Sequence, residues 1–205
     1  MTTLAKCKIV RRLGVNIFTK CEKVFAKKPY PPGQKRKRRR GGGISEFGKE
    51  LLEKQKLRVL YGLRERQFGK YVEEILEKKG KVEDAPTLLI QKLENRLDNT
   101  VFRLGFATTR AQAKQLVSHG FVLVRGKPID VPSYQVKTGD VVSIKPHKIG
   151  KAIFKDIGIK LKKYQPPSWL ELDRDKLEGK VSGSPVFSEV APPVEISSIF
   201  EYYSR

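Results

Sequence analysis

Six consecutive cations, Lys35, Arg36, Lys37, Arg38, Arg39 and Arg40, constrain this chain more than any other feature. Adjacent like charges cannot pack on one another, so the run is either unfolded or wrapped on phosphate. Its flanks agree with that reading. Pro29, Pro31, Pro32 and Gly33 surround Tyr30 on one side, and Gly41, Gly42 and Gly43 follow on the other. These residues favour extended and turning backbone over helix.

The bias extends beyond this run. The 205 residues carry 43 Lys and Arg against 22 Asp and Glu, a net charge of +21. A chain so charged repels itself unless an anionic partner neutralises it, which points to nucleic acid or an anionic surface. Residues 1–70 hold 21 basic and 5 acidic residues, and residues 91–155 hold 12 and 4. The tail from residue 168 is net acidic, so the cations form two blocks.

Several classes are excluded. No run approaches the ~18 apolar residues of a membrane-spanning helix, and Met1 to Val10 is too short an apolar stretch for a secretory signal. Cys7 and Cys21 are too few for a secreted disulfide framework, so a reducing cytosol is the default. The sequence has no Gly-rich nucleotide loop after a strand, no P-loop lysine, and no zinc-protease or nucleophile-elbow motif. Asp98 and Asp140 fall in helix and turn patterns that structure already explains. Catalysis is not expected.

After the glycines, helical periodicity begins. Ser45 can cap a helix carrying Phe47, Leu51, Leu57, Leu60 and Tyr61, which Gly62 ends. Phe68, Tyr71, Val72, Ile75 and Leu76 form an amphipathic stripe ending at Gly80. A third helix is expected from Thr87 to Leu104, with Ile90, Leu93, Leu97 and Val101 on one face and Gly105 as its stop. On the same count Arg58, Arg64, Arg66 and Lys70 point outward.

The middle block is more specific. Thr109 and Gln112 form a capping box, in which Thr109 bonds the Gln112 amide and Gln112 reaches back. The helix it starts turns Ala113, Leu116 and Val117 inward and stops at Gly120. Arg110 and Lys114, four residues apart, share its outer face beside the N-terminal amides, a combination suited to phosphate. Short strands are expected at Phe121–Arg125, Ile129–Val131, Tyr134–Val136 and Val141–Ile144, with turns at Gly126-Lys127 and Thr138-Gly139-Asp140. Such a small helix-and-sheet unit, with cations on the helix and at the turns, would make a compact RNA-binding platform.

The stretch from Arg96 to Ile144 resembles the small αL-type RNA-binding module of a ribosomal protein, tyrosyl-tRNA synthetases, pseudouridine synthases and a heat-shock RNA-binding protein. The flanks narrow the resemblance. YPPGQ (Tyr30 to Gln34), SEFGKELLEKQKLRVLYGLRERQFGKY (Ser45 to Tyr71) and the terminal EYYSR are similar to the family of the fourth protein of the small ribosomal subunit, bacterial type.

This resemblance implies a cytoplasmic ribosomal protein that binds small-subunit (16S) ribosomal RNA at a multi-helix junction and nucleates assembly of the subunit body. It further implies neighbours among the third, fifth and twelfth small-subunit proteins, a share in decoding accuracy, and a place near the messenger RNA entrance. A free RNA chaperone or ribosome-associated factor is the alternative. No membrane partner is expected.

The expected fold class is α+β. Residues 1–43 form a basic, largely extended segment, and residues 44–90 a helical part completed by 156–205. Residues 91–155 form the RNA-binding module. Within it Arg110, Gln112 and Lys114 are the first candidates for RNA contact, then His119, Arg125 and Lys127, with Arg96, Arg103 and Lys137 in support. Lys35 to Arg40 add charge, and Tyr30 is a candidate to stack on a base. Some family members hold zinc on four N-terminal cysteines. Here Val10 stands three residues after Cys7 and Cys21 is isolated. Two thiolates cannot close a tetrahedral site, so no metal or other cofactor is expected and the cysteines read as ordinary small side chains.

Overall fold

A computed structural model describes residues 3–33, 43–77, 84–155 and 157–204. The run Lys35 to Arg40 lies outside the described residues. The chain divides into two compact units, Met1–Gly80 with Pro192–Arg205, and Lys81–Ala191.

The first unit contains helices α1 (Thr3–Leu13), α2 (Glu22–Lys27), α3 (Glu46–Leu60), α4 (Glu65–Leu76) and α10 (Ile196–Tyr203). Ser45 caps α3 as its sequence demands, with its hydroxyl accepting from the Gly48 amide at 3.2 Å. The helix ends where Gly62 takes a φ of +63°, which a side chain would resist. The stripe on α4 buries Phe68, Val72 and Ile75, and α10 buries Ile196, Ile199 and Phe200.

One cation in this unit is interior. Lys54 is buried, donates to Glu65 Oε1 at 2.5 Å, and lies 4.2 Å over the Tyr202 ring. Partial burial pushes the Glu65 carboxyl up, but the Lys54 bond and charge, helped by Tyr203 and Arg58, hold it below the usual carboxylate range. Arg58 therefore departs from the outward orientation expected of it. It is half-buried, 3.3 Å from Glu65. Arg64, Arg66 and Lys70 are exposed.

The N-terminal segment also departs from expectation. It is helical over α1 and α2 rather than largely extended, and Cys7 and Cys21 form a disulfide with their Cα atoms 5.2 Å apart. Cys7 and Val10 are one helical turn apart, and both are buried with Cys21 against Phe18 and Phe25. This small apolar nucleus was obscured by the surrounding lysines. Arg11 ties down the following strand of chain: its Nε donates to the carbonyls of Lys28 and Tyr30, each at 3.0 Å.

The second unit contains α5 (Ala85–Glu94), α6 (Leu97–Arg103), α7 (Arg110–Ser118), α8 (Ile157–Lys162) and α9 (Phe187–Val190). It has one antiparallel sheet of β1 (Val122–Val124), β2 (Lys127–Pro128), β3 (Val141–Ile144), β4 (Leu170–Asp173) and β5 (Glu178–Val181), in the order β2-β1-β3-β5-β4. The fold is α+β. The single helix expected from Thr87 to Leu104 is broken in two. Around Arg96 the backbone is extended and pairs with a distant segment: Leu97 N donates to Tyr134 O, and Val136 N to Asn95 O, both at 2.8 Å. The same bonds consume Tyr134–Val136, so that stretch is not a sheet strand, and neither is Ile129–Val131.

The hairpin turn is Arg125-Gly126, one residue earlier than expected. Both residues have positive φ, +50° and +75°, the requirement of a type I′ turn. The C-terminal segment does not simply complete the helical part. It divides, giving α8, β4, β5 and α9 to the second unit and only the residues from Pro192 to the first. Leu170-Glu171-Leu172-Asp173 alternates in burial as a strand does. Trp169, Leu170 and Val181 join Leu104, Leu116 and Val142 in one core.

Gly179 of β5 lies directly against buried Leu104 of the α6 end, and a Cβ there would collide with that side chain. Gly179→Ala should therefore lower the unfolding free energy by about 1–3 kcal/mol through overpacking. Gly183→Ala, with open space around it, should be neutral or slightly stabilising. Chemical denaturation of both variants checks this, and equal stabilities would remove β5 from the core.

Candidate RNA-binding surface

The start of α7 is built largely as the capping box requires. Thr109 is extended, and its hydroxyl accepts from the Gln112 amide at 3.2 Å. Gln112 reaches back one residue further than expected: its Oε1 accepts from the Thr108 amide at 2.9 Å and the Thr108 hydroxyl at 2.6 Å. The Gln112 side chain thus belongs to the cap.

Arg110 does not lie free on the outer face of α7. Its side chain is 19% exposed. It folds back over the Phe102 ring, 4.6 Å from the centroid, and its Nε donates to Asn99 Oδ1 at 2.8 Å. Beyond Asn99 stands Glu94, the last residue of α5, with a side chain that is 0% exposed. Arg103 grips Glu94 with two bonds, Nε at 2.9 Å and a terminal nitrogen at 2.8 Å. The Asn99 amide donates to the same carboxylate, and Arg110 approaches it to 3.9 Å. The Tyr164 hydroxyl donates to the Arg103 carbonyl at 2.8 Å, and burial raises its phenol above the ordinary value.

Arg96 is likewise structural. At 1% exposure it forms two bonds with Asp98, at 3.0 Å and 2.7 Å. A guanidinium so enclosed cannot reach an RNA without unfolding its surroundings, which corrects its assignment as a supporting contact. In the sequence Arg96, Arg103 and Arg110 stand out by charge alone. Asp98 reads as structural from the sequence, but Glu94 and Asn99 do not stand out there, although carboxylates inside a basic block, on helices with buried faces, are the signal that some cations must be satisfied internally.

The remaining candidates are more accessible. Lys114 is half-buried and has no hydrogen-bond or ion-pair partner among the described residues. His119 is exposed at the end of α7, while Lys127 and Lys137 are exposed around the hairpin. Arg125 is 62% exposed and pairs with Asp140, whose side chain is 1% exposed. The other Asp140 oxygen accepts from the Lys137 amide at 2.8 Å, so one buried carboxylate holds both turns. Tyr30, in the first unit, is 42% exposed with the Arg11 guanidinium 5.0 Å from its ring centroid. Among the described residues, no group of three or more potential metal ligands comes together.

Chemically, a capped helix start and two turns carry Lys114, Arg125, Lys127 and Lys137 with their charges at least partly open to solvent. Charge-assisted bonds to phosphate oxygens are the interaction such groups make. Glu94→Gln should cost about 3 kcal/mol, because it leaves two largely covered guanidiniums short of their counter-charge. Thermal and urea unfolding would measure the loss, and a native-like stability would show that the carboxylate is dispensable.

Comparison with known proteins gives the context. The family model described as "Ribosomal protein S4/S9 N-terminal domain" matches residues 2–94, and the "S4 domain" model matches residues 95–142. The small ribosomal subunit protein uS4 of Roseiflexus castenholzii is 43% identical over 200 residues, 97% of this chain and 96% of that one. The uS4 proteins of Aquifex aeolicus and Latilactobacillus sakei are 45% and 44% identical, covering 97% and 98% of this chain and 95% and 96% of theirs. With two successive domain matches and near-complete alignment to these relatives, the chain belongs to the uS4 family of ribosomal proteins.

Proposed function

We propose that this chain is a structural component of the small ribosomal subunit that binds 16S ribosomal RNA directly, in the cytoplasmic ribosome. The observation that carries the reading is the capped α7 and the two turns held by Asp140, all within the S4 domain match, on which Lys114, Arg125, Lys127 and Lys137 are at least partly exposed. The role is binding, not catalysis. Arg103 and Arg110 serve it indirectly, by fixing the helices on Glu94.

Family membership supports a finer reading. The chain would nucleate assembly of the subunit body, meet the third, fifth and twelfth small-subunit proteins, and contribute to decoding accuracy and the messenger RNA entrance. The Lys35 to Arg40 run would add sequence-independent phosphate contacts, and Tyr30 a stacking surface. His119 would contribute one further polar contact at the α7 end.

The purified chain should select 16S ribosomal RNA over an unrelated RNA of equal length at physiological salt in filter binding. It should also remain on small subunits through a high-salt wash. The triple variant Lys114→Gln/Lys127→Gln/Lys137→Gln should weaken binding about a hundredfold, as expected for three lost phosphate contacts at a salt slope of roughly 0.7–0.9 each. Absence of RNA preference in the unmodified chain contradicts the reading, and undiminished binding by the triple variant contradicts the assignment of the surface.

A further inference from the structure

A second cationic edge follows β3, beyond the S4 domain match at residues 95–142. Successive i→i+3 backbone bonds close turns there. Lys148 N donates to Lys145 O at 2.9 Å, Lys151 N to Lys148 O at 3.2 Å, and Phe154 N to Lys151 O at 2.9 Å. Two short 3-10 turns result, Pro146–Lys148 and Ala152–Phe154, entered from Lys145 and Lys151 respectively. Lysine stands at every third position, Lys145, Lys148 and Lys151, and the backbone bonds join each to the next.

Their ammonium groups gather at the end of α7. Lys148 donates to the carbonyls of His119 and Gly120, at 3.0 Å and 3.1 Å, and sits 4.4 Å from the Phe121 ring centroid. Lys151 is 5.3 Å from the same centroid. The Lys145 ammonium lies 3.7 Å from where a side chain on Gly120 would begin. Lys148 titrates below the ordinary lysine value, through partial desolvation and through the charges of Lys145 and Lys151.

Lys148 caps the carbonyl end of α7. Neither of the other two ammonium groups makes a hydrogen bond or ion pair among the described residues. Two further like charges drawn to one point raise the energy of the free protein, and an aromatic face offsets little of that at an exposed site. Each ammonium retains donors for an anionic oxygen. The arrangement is stabilised when phosphate arrives.

We propose that Lys145, Lys148 and Lys151 form a second phosphate-binding edge, which takes the backbone phosphates of an RNA strand running past the end of α7. The proposal rests on the RNA-binding reading above and extends it to residues outside the S4 domain match.

The test uses the full chain and 16S ribosomal RNA. Lys145→Gln/Lys151→Gln retains Lys148 and its two structural bonds. Binding titrated over a series of salt concentrations should show the slope of log affinity against log salt flattened by roughly 1.4–1.8, two contacts at 0.7–0.9 each. Lys145→Arg/Lys151→Arg should keep the original slope, since the charge is retained. Acylation footprinting of the unmodified chain supplies a measurement that needs no variant: bound RNA should protect Lys145 and Lys151. An unmodified chain that binds while the glutamine variant keeps its slope, or while both lysines stay fully reactive, overturns this edge alone. Failure of the unmodified chain to bind 16S ribosomal RNA overturns the parent reading and this one with it.

Discussion

A buried carboxylate orders the second unit. Glu94 ends α5, Asn99 lies in α6, Arg103 ends α6 and Arg110 begins α7, and all of them meet at one side chain that is 0% exposed. Removing a carboxylate from water costs several kcal/mol, which a bidentate guanidinium and an amide can offset only with good geometry. The geometry in turn fixes the ends of three short helices. α6 and α7 have seven and nine residues, too few to be stable alone. Their directions, and hence the position of the α7 cap, depend on this contact and on the core beneath it.

The net charge of +21 therefore conceals a division of labour. Arg96, Arg103, Arg110 and Lys54 are held by acidic partners, and their work is to join elements. Lys114, Lys127 and Lys137 remain at least partly open to solvent and have no such partner among the described residues. Arginine predominates in the first group and lysine in the second. A planar fork suits a fixed carboxylate, and a flexible ammonium adapts to a phosphate backbone. Arg125 belongs partly to both: Asp140 holds it while most of its side chain stays exposed.

Local signals were legible in the sequence to the extent that they were local. The Ser45 and Thr109 caps, the Gly62 and Gly120 stops, and the α4 stripe all follow from spacing and residue type. What was not legible depended on distant partners. Arg96 sits in a strongly helical pattern, yet its neighbours bond to a segment about forty residues away, and that contact breaks the helix. The strand Glu178–Val181 is short and contains a glycine, so nothing local assigned it to the module sheet. The Cys7–Cys21 pairing needed the fold of α1 to be known first. For the candidate surface, charge located the right region but did not separate the cations that hold the protein from those that face outward. That distinction requires the buried acids.

The most direct measurement is a paired comparison of Arg110→Gln and Lys114→Gln for unfolding free energy and for affinity to 16S ribosomal RNA. The two residues are one helical turn apart and would be equivalent if both simply faced RNA. Arg110→Gln should lower stability by about 1–3 kcal/mol, as expected on losing a charged hydrogen bond to a covered partner. Lys114→Gln should leave stability unchanged and weaken RNA binding about fivefold, one phosphate contact at physiological salt. Equal stabilities with equal losses of affinity would contradict this division between the two cations.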